Sequence, residues 1–108
     1  MTLTESDILE RAQAASNGED FKALWAGNTS KYSSPSEADM ALVSHLAYWT
    51  GNNATLIDSL FRRSGLMRPK WDERHAGDGG TYGEITMKNV LATHDERGEI
   101  NPALFWKL

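Results

Sequence analysis

Apolar residues recur along this chain at three- and four-residue spacing, the signature of helices that bury one face. Ile8, Ala12 and Ala15 share a face with Leu9 beside them, behind a cap at Thr4 and the first-turn residues Glu5, Ser6 and Asp7. Asn17-Gly18 is expected to end this helix. Phe21, Leu24 and Trp25 mark a second, short one that stops at Gly27-Asn28. Asn28 to Ser34 is polar and reads as a loop. Ser34-Pro35-Ser36-Glu37 is a helix start, with Ser34 as cap, Pro35 at the first helical position and Glu37 where a capping box places its acid. The third helix runs to about Trp49, with Ala38, Leu42, Leu46 and Trp49 on one face and Ala41 and Val43 widening it. Thr50-Gly51-Asn52 ends it. A fourth helix from Asn53 to Arg63 carries Leu56, Ile57, Leu60 and Phe61, and Ser64-Gly65 breaks it. Pro69 starts a short fifth helix or turn through Asp72. Residues 75–80 hold three glycines and read as a flexible loop. The last helix begins at Thr81, with Glu84 completing a capping box, or at Thr86, and repeats Met87, Val90, Leu91 and His94. No run alternates with period two, so the expected fold is all-α: a compact bundle of five or six short helices.

The chain has 108 residues, one domain's worth. The expected division is a helix bundle over 1–94 and a tail or linker over 95–108, whose Leu104, Phe105 and Trp106 need a surface to pack on. No stretch approaches a membrane span, and the first residues lack the basic start and apolar run of a secretory signal. Cysteine is absent, so disulfides and thiolate-held zinc are excluded and a reducing, cytoplasmic setting is expected. The three histidines lack metal-ligand spacing; His45 reads as a hydrogen-bonded residue at the edge of the core.

Charge redirects attention to one segment. The net charge is −4, but residues 1–60 carry −5 and residues 61–108 carry +1. Arg62 to His75 is locally +3, through Arg62, Arg63, Arg68, Lys70 and Arg74 against Asp72 and Glu73. Arginine forks match phosphate geometry, and Trp71 or Tyr82 offers a face on which a base stacks. The alternative is that Trp71 is core and the cations surround it as a solvated face with helical ion pairs. A second constellation is the helix start at Tyr32 to Asp39. Capping explains Ser34 and Glu37, while Ser36 offers a spare hydroxyl. Asp39 with Glu37 would repel a bare phosphate. Such acids would instead take a base edge, a ribose hydroxyl, a magnesium ion, or an arginine from the basic segment. No phosphate-cradling glycine loop and no catalytic set is recognisable.

These segments carry a resemblance. Ser34-x-Ser36-Glu37-Ala38-Asp39-x-Ala41-Leu42, Leu46-Ala47-Tyr48-Trp49-Thr50-Gly51, Leu60 to Asp72 with its arginines and tryptophan, and Thr81-Tyr82-Gly83-Glu84-Ile85-Thr86 follow in this order. Over about residues 5–92 the chain resembles the helix-bundle domain that follows the polymerase core in primase-polymerases of phages and archaeal plasmids. The resemblance implies an accessory module, not itself the polymerase, that binds single-stranded template DNA with initiating nucleotide triphosphates (ATP or a deoxynucleotide, with Mg2+) and promotes primer synthesis. It implies as partners the template, the nucleotides and the polymerase catalytic domain, whose metal-binding carboxylates this sequence lacks. The residues expected at the interface are Arg62, Arg63, Arg68, Lys70, Trp71, Arg74, Tyr82, Ser34, Ser36 and Asp39, with the Phe61–His75 elbow projecting outward. The rival expectation is an interaction module that docks a polymerase or helicase domain through an apolar groove or the Trp106 tail.

Overall fold

The computed structural model describes residues 3–74 and 80–93. The segment 75–79, with His75, and residues 94–108, with His94, the proposed tail and its Leu104-Phe105-Trp106, lie outside the described residues. Among the described residues five α-helices and one 3-10 turn follow in order: α1 Glu5–Ala14, α2 Gly18–Trp25, α3 Pro35–Thr50, α4 Ala54–Arg63, the 3-10 turn Pro69–Asp72, and α5 Tyr82–Leu91. Among the described residues there is no strand, only a single antiparallel bridge between Arg74 and Thr81.

The caps act as the sequence reads. The Thr4 hydroxyl accepts from the Asp7 N–H while the Asp7 carboxylate accepts from the Thr4 N–H, and Thr81 and Glu84 repeat that exchange at α5. At α3 only half of the expected box forms. The Ser34 hydroxyl accepts from the Glu37 N–H, but the Glu37 carboxylate accepts from the hydroxyl of Ser33, one residue earlier. One boundary is corrected. Helix α1 ends at Ala14, and Gly18 opens α2 instead of closing α1. A Cβ at Gly18 would lie 2.0 Å from the Gln13 carbonyl oxygen, so only glycine lets the two helices meet at so tight a corner.

Helix α3 is the centre of the molecule and packs on α1, α2, α4 and α5. Its residues Ala38, Asp39 and Ala41 to Ala47 are all buried, so it is enclosed on nearly every side instead of showing one apolar face. Ile8, Phe21, Leu24, Ile57, Leu60, Phe61 and Val90 close over it from the neighbouring helices. His45 is fully buried here, its ring 5.8 Å from Phe21 in an edge-on contact. Loss of hydration lowers its pKa to about 4, so the fold holds it neutral. The α4–α5 pairing leaves an open groove between them, with Asp72 of the 3-10 turn in its lining.

Candidate functional site

The chain from Phe61 to Arg74 is an elbow: the end of α4, a turn at Ser64-Gly65, and the 3-10 turn that packs on α5. Its centre is Trp71. Phe61 lies flat against the indole, with ring centroids 3.7 Å apart and planes 11° from parallel. Gly83 presses on it as well, since a Cβ there would sit 2.4 Å from indole Cε2. The indole N–H donates to Asp58 at 2.8 Å, and the side chain is 1% exposed. The expectation that a base stacks on Trp71 is therefore corrected: its faces are taken by Phe61 and by the backbone of α5, and the reading of Trp71 as core is the right one.

The outward projection of the elbow's arginines is corrected too. Arg62 donates from Nε to Asp58 at 2.8 Å and, as a two-pronged fork, to Asp72 at 2.7 and 2.9 Å. Arg63 donates to Glu5 at 2.6 Å. Arg68 grips Asp39 with both terminal nitrogens, at 2.9 and 2.7 Å, and adds the Leu66 carbonyl. The physical reason is pairing with carboxylates: Glu5, Asp39 and Asp58 from the acidic first half, and Asp72 from the elbow itself. These pairings raise the pKa of Arg62 and Arg68 and lower that of Asp72, while the Ser59 hydroxyl and then Arg63 lower that of Glu5.

The pairs differ in what holds them. Asp39 is fully buried, and it also accepts from the Tyr82 hydroxyl at 2.5 Å. Burial, then the neighbouring Asp39, raises the Tyr82 pKa, and the Ser36 hydroxyl lies within hydrogen-bonding reach of the same phenol. The fold thus brings five of the expected residues together, Ser36, Asp39, Arg68, Lys70 and Tyr82, where the start of α3 meets the elbow and α5. Asp39 takes the arginine that was one of its sequence alternatives. Withdrawing Arg68 would leave a buried carboxylate without its counter-charge, so this clamp is structural. The Arg62 and Arg63 pairs, by contrast, are solvent-exposed.

Among the described residues two elbow cations remain uncommitted. The Lys70 ammonium lies 4.6 Å above the Tyr82 ring and has no carboxylate partner among the described residues. Arg74 is exposed and meets Thr81 only through the backbone bridge. Ser34 is spent on its cap. Sequence reasoning missed Asp58, which supports both Trp71 and Arg62; the i,i+4 spacing of Asp58 and Arg62 was the signal. It also missed Lys88, which lines the α4–α5 groove together with Arg62. That groove encloses about 830 Å³ between walls that include Asp58, Arg62, Asp72, Met87, Lys88 and Leu91. Among the described residues no three His, Cys, Asp or Glu side chains are placed to hold a metal ion, and no helix is long and apolar enough to cross a membrane.

Taken together, the chain is a small helix bundle built round one buried helix, with a clamped cationic elbow on its flank. It belongs to the family described as the NrS-1 polymerase HBD domain, which matches residues 35–97, and is thus a helix-bundle domain of the phage primase-polymerase kind. Over 55 residues it is 46% identical to the DNA primase-polymerase of Nitratiruptor phage NrS-1. That match takes in 51% of this chain and 7% of the phage protein. No solved structure matches the chain.

Proposed function

We propose that this bundle is an accessory domain of a DNA primase-polymerase that holds single-stranded template and an initiating nucleotide triphosphate while a separate catalytic domain makes the primer. Magnesium enters as part of the nucleotide ligand. Family membership gives the setting. The observation that carries the reading is the pair of uncommitted cations, Lys70 on the Tyr82 ring and Arg74 beside the start of α5, on a chain whose other surface charge is mostly negative. Arg62 and Arg63 join them by exchange. Exposed ion pairs are worth about 0–1 kcal/mol, whereas breaking a buried one costs about 3–5 kcal/mol, so phosphate competes with Asp72 or Glu5 but not with buried Asp39. Arg68, Asp39 and Trp71 are then framework, and Tyr82 contributes the seat on which Lys70 rests.

The test is titration of a labelled oligothymidine with and without ATP, at two salt concentrations. Binding is expected to be weak, to tighten with ATP, and to fall steeply with salt. Lys70→Ala with Arg74→Ala should remove most of it and flatten the salt slope by about 0.7 per lost phosphate contact on a single strand. Affinity that ignores both ATP and the double variant defeats the reading. Salt-insensitive capture of a polymerase or helicase domain would favour the docking alternative, for which half-exposed Tyr48, edge-on to Trp49, is the surface observation.

A further inference from the structure

Resting on that phosphate-binding reading, we infer that Asp72 is a built-in competitor for phosphate: its carboxylate occupies the Arg62 fork in the wall of the α4–α5 groove until a phosphate group of the ligand displaces it. Arg62 is held in two unlike ways. Its Nε is fixed to Asp58, one turn back on the same helix, and Asp58 is itself anchored by the Trp71 indole N–H. That contact aims the guanidinium. Its two terminal nitrogens meet Asp72 in a parallel fork, the geometry that arginine also presents to phosphate.

Asp72 has no such anchor. It ends the 3-10 turn, its side chain is 53% exposed, and among the described residues it bonds only Arg62. Rotation into water releases it, while Asp58 stays to keep Arg62 in place. The space that release opens is already walled. Arg62 and Lys88 line one groove of about 830 Å³, with Met87 and Leu91 as apolar wall, and Lys88 has no carboxylate partner among the described residues. Asp58 and Glu84 in the same groove oppose anions. The ligand must therefore match the Arg62 fork as Asp72 does, which suits a phosphate group over a spherical anion such as chloride. Nucleotide triphosphate and strand backbone share that chemistry.

The experiment compares the 108-residue chain with Asp72→Asn, Glu73→Gln and each paired with Arg62→Lys, titrated separately with inorganic tripolyphosphate, ATP and oligothymidine at one ionic strength. Glu73 is the neighbouring exposed acid, so its variant removes the same charge without touching the fork. Asp72→Asn should tighten binding by about three- to fivefold, the size of an exposed ion pair. Glu73→Gln should change it by less than about twofold, the general field effect. The gain should vanish with Arg62→Lys, which keeps the charge and loses the fork. A gain with tripolyphosphate and ATP assigns the exchange to the nucleotide; a gain with oligothymidine alone assigns it to the template. Equal effects of the two acid variants, or a gain that survives Arg62→Lys, overturn the competitor role and leave the broader reading standing if the unaltered chain binds. Absence of binding by every variant defeats both.

Discussion

Asp39 shows how one residue can change meaning between sequence and structure. On paper it is a carboxylate near a helix start, open to a metal, a ribose or an arginine. In the fold it is sealed in α3 and serves Arg68 and Tyr82 together, joining three segments that are far apart in the chain. The interaction is unlike the exposed Arg62 and Arg63 pairs because neither water nor a ligand can replace the cation at Asp39. Arg68→Ala should therefore destabilise the domain by about 3 kcal/mol, the lower range for breaking a buried ion pair. For a domain of this size that lowers the melting temperature by on the order of 15 °C, read by calorimetry or far-ultraviolet dichroism. Arg63→Ala should change it by less than about 1 kcal/mol. Similar losses from the two variants would mean that the buried clamp contributes no more than a surface pair.

The helices were mostly legible, and the reasons differ from one to the next. Thr4, Ser34 and Thr81 each accept a backbone N–H as caps at the places where their sequence patterns put them, because capping is a contest settled within four residues, and Asn53, read as the first residue of its helix, is the cap of α4. The end of α1 was misread because Gly18 serves a close approach to the previous helix, which no local pattern reveals. The elbow was legible in composition and not in connection. Asp39 and Arg68 are 29 positions apart and Glu5 and Arg63 are 58 apart, so nothing in the local sequence tells a paired arginine from a free one. The Trp71 site shows the same limit, since Gly83 and Asp58 reach it from two other elements. Helix α5 ties these parts together, presenting Gly83 to the indole and Tyr82 to the clamp from its first turn. Thr81→Ala should therefore cost about 1 kcal/mol, the usual value of an N-cap. Its distinguishing mark is local: amide exchange in residues 82–86 should speed up more than in α3, and exchange that rises evenly across all helices would contradict the assignment.

Across the whole molecule the uneven charge acquires a purpose. The acidic first half and the basic elbow are halves of one set, because Glu5, Asp39 and Asp58 reach forward to Arg63, Arg68 and Arg62. Folding thus consumes much of the local excess that made the elbow look like an anion receptor, and what is left of it among the described residues is concentrated at Lys70 and Arg74. The same arrangement fixes how stability depends on pH. His45 has its pKa depressed from 6.5 to about 4 by burial, so the unfolded chain binds its proton first. Stability from neutral His45 is complete above pH 6.5 and drains away as pH falls toward 4, by about 3 kcal/mol in all. Glu5 and Asp72, held below the ordinary carboxylate range by Ser59, Arg63 and Arg62, act in the same direction at lower pH: their contribution is present above that range and is lost on acidification. The melting temperature should therefore hold level from pH 8 to about 6.5 and then decline in two stages. In His45→Leu the first stage should disappear while the second persists, because an aliphatic side chain in the same pocket has no proton to take up. Melting curves collected at half-unit pH intervals for both proteins decide the matter, and parallel declines between pH 6.5 and 4.5 would show that the imidazole is not the group that couples this core to the proton.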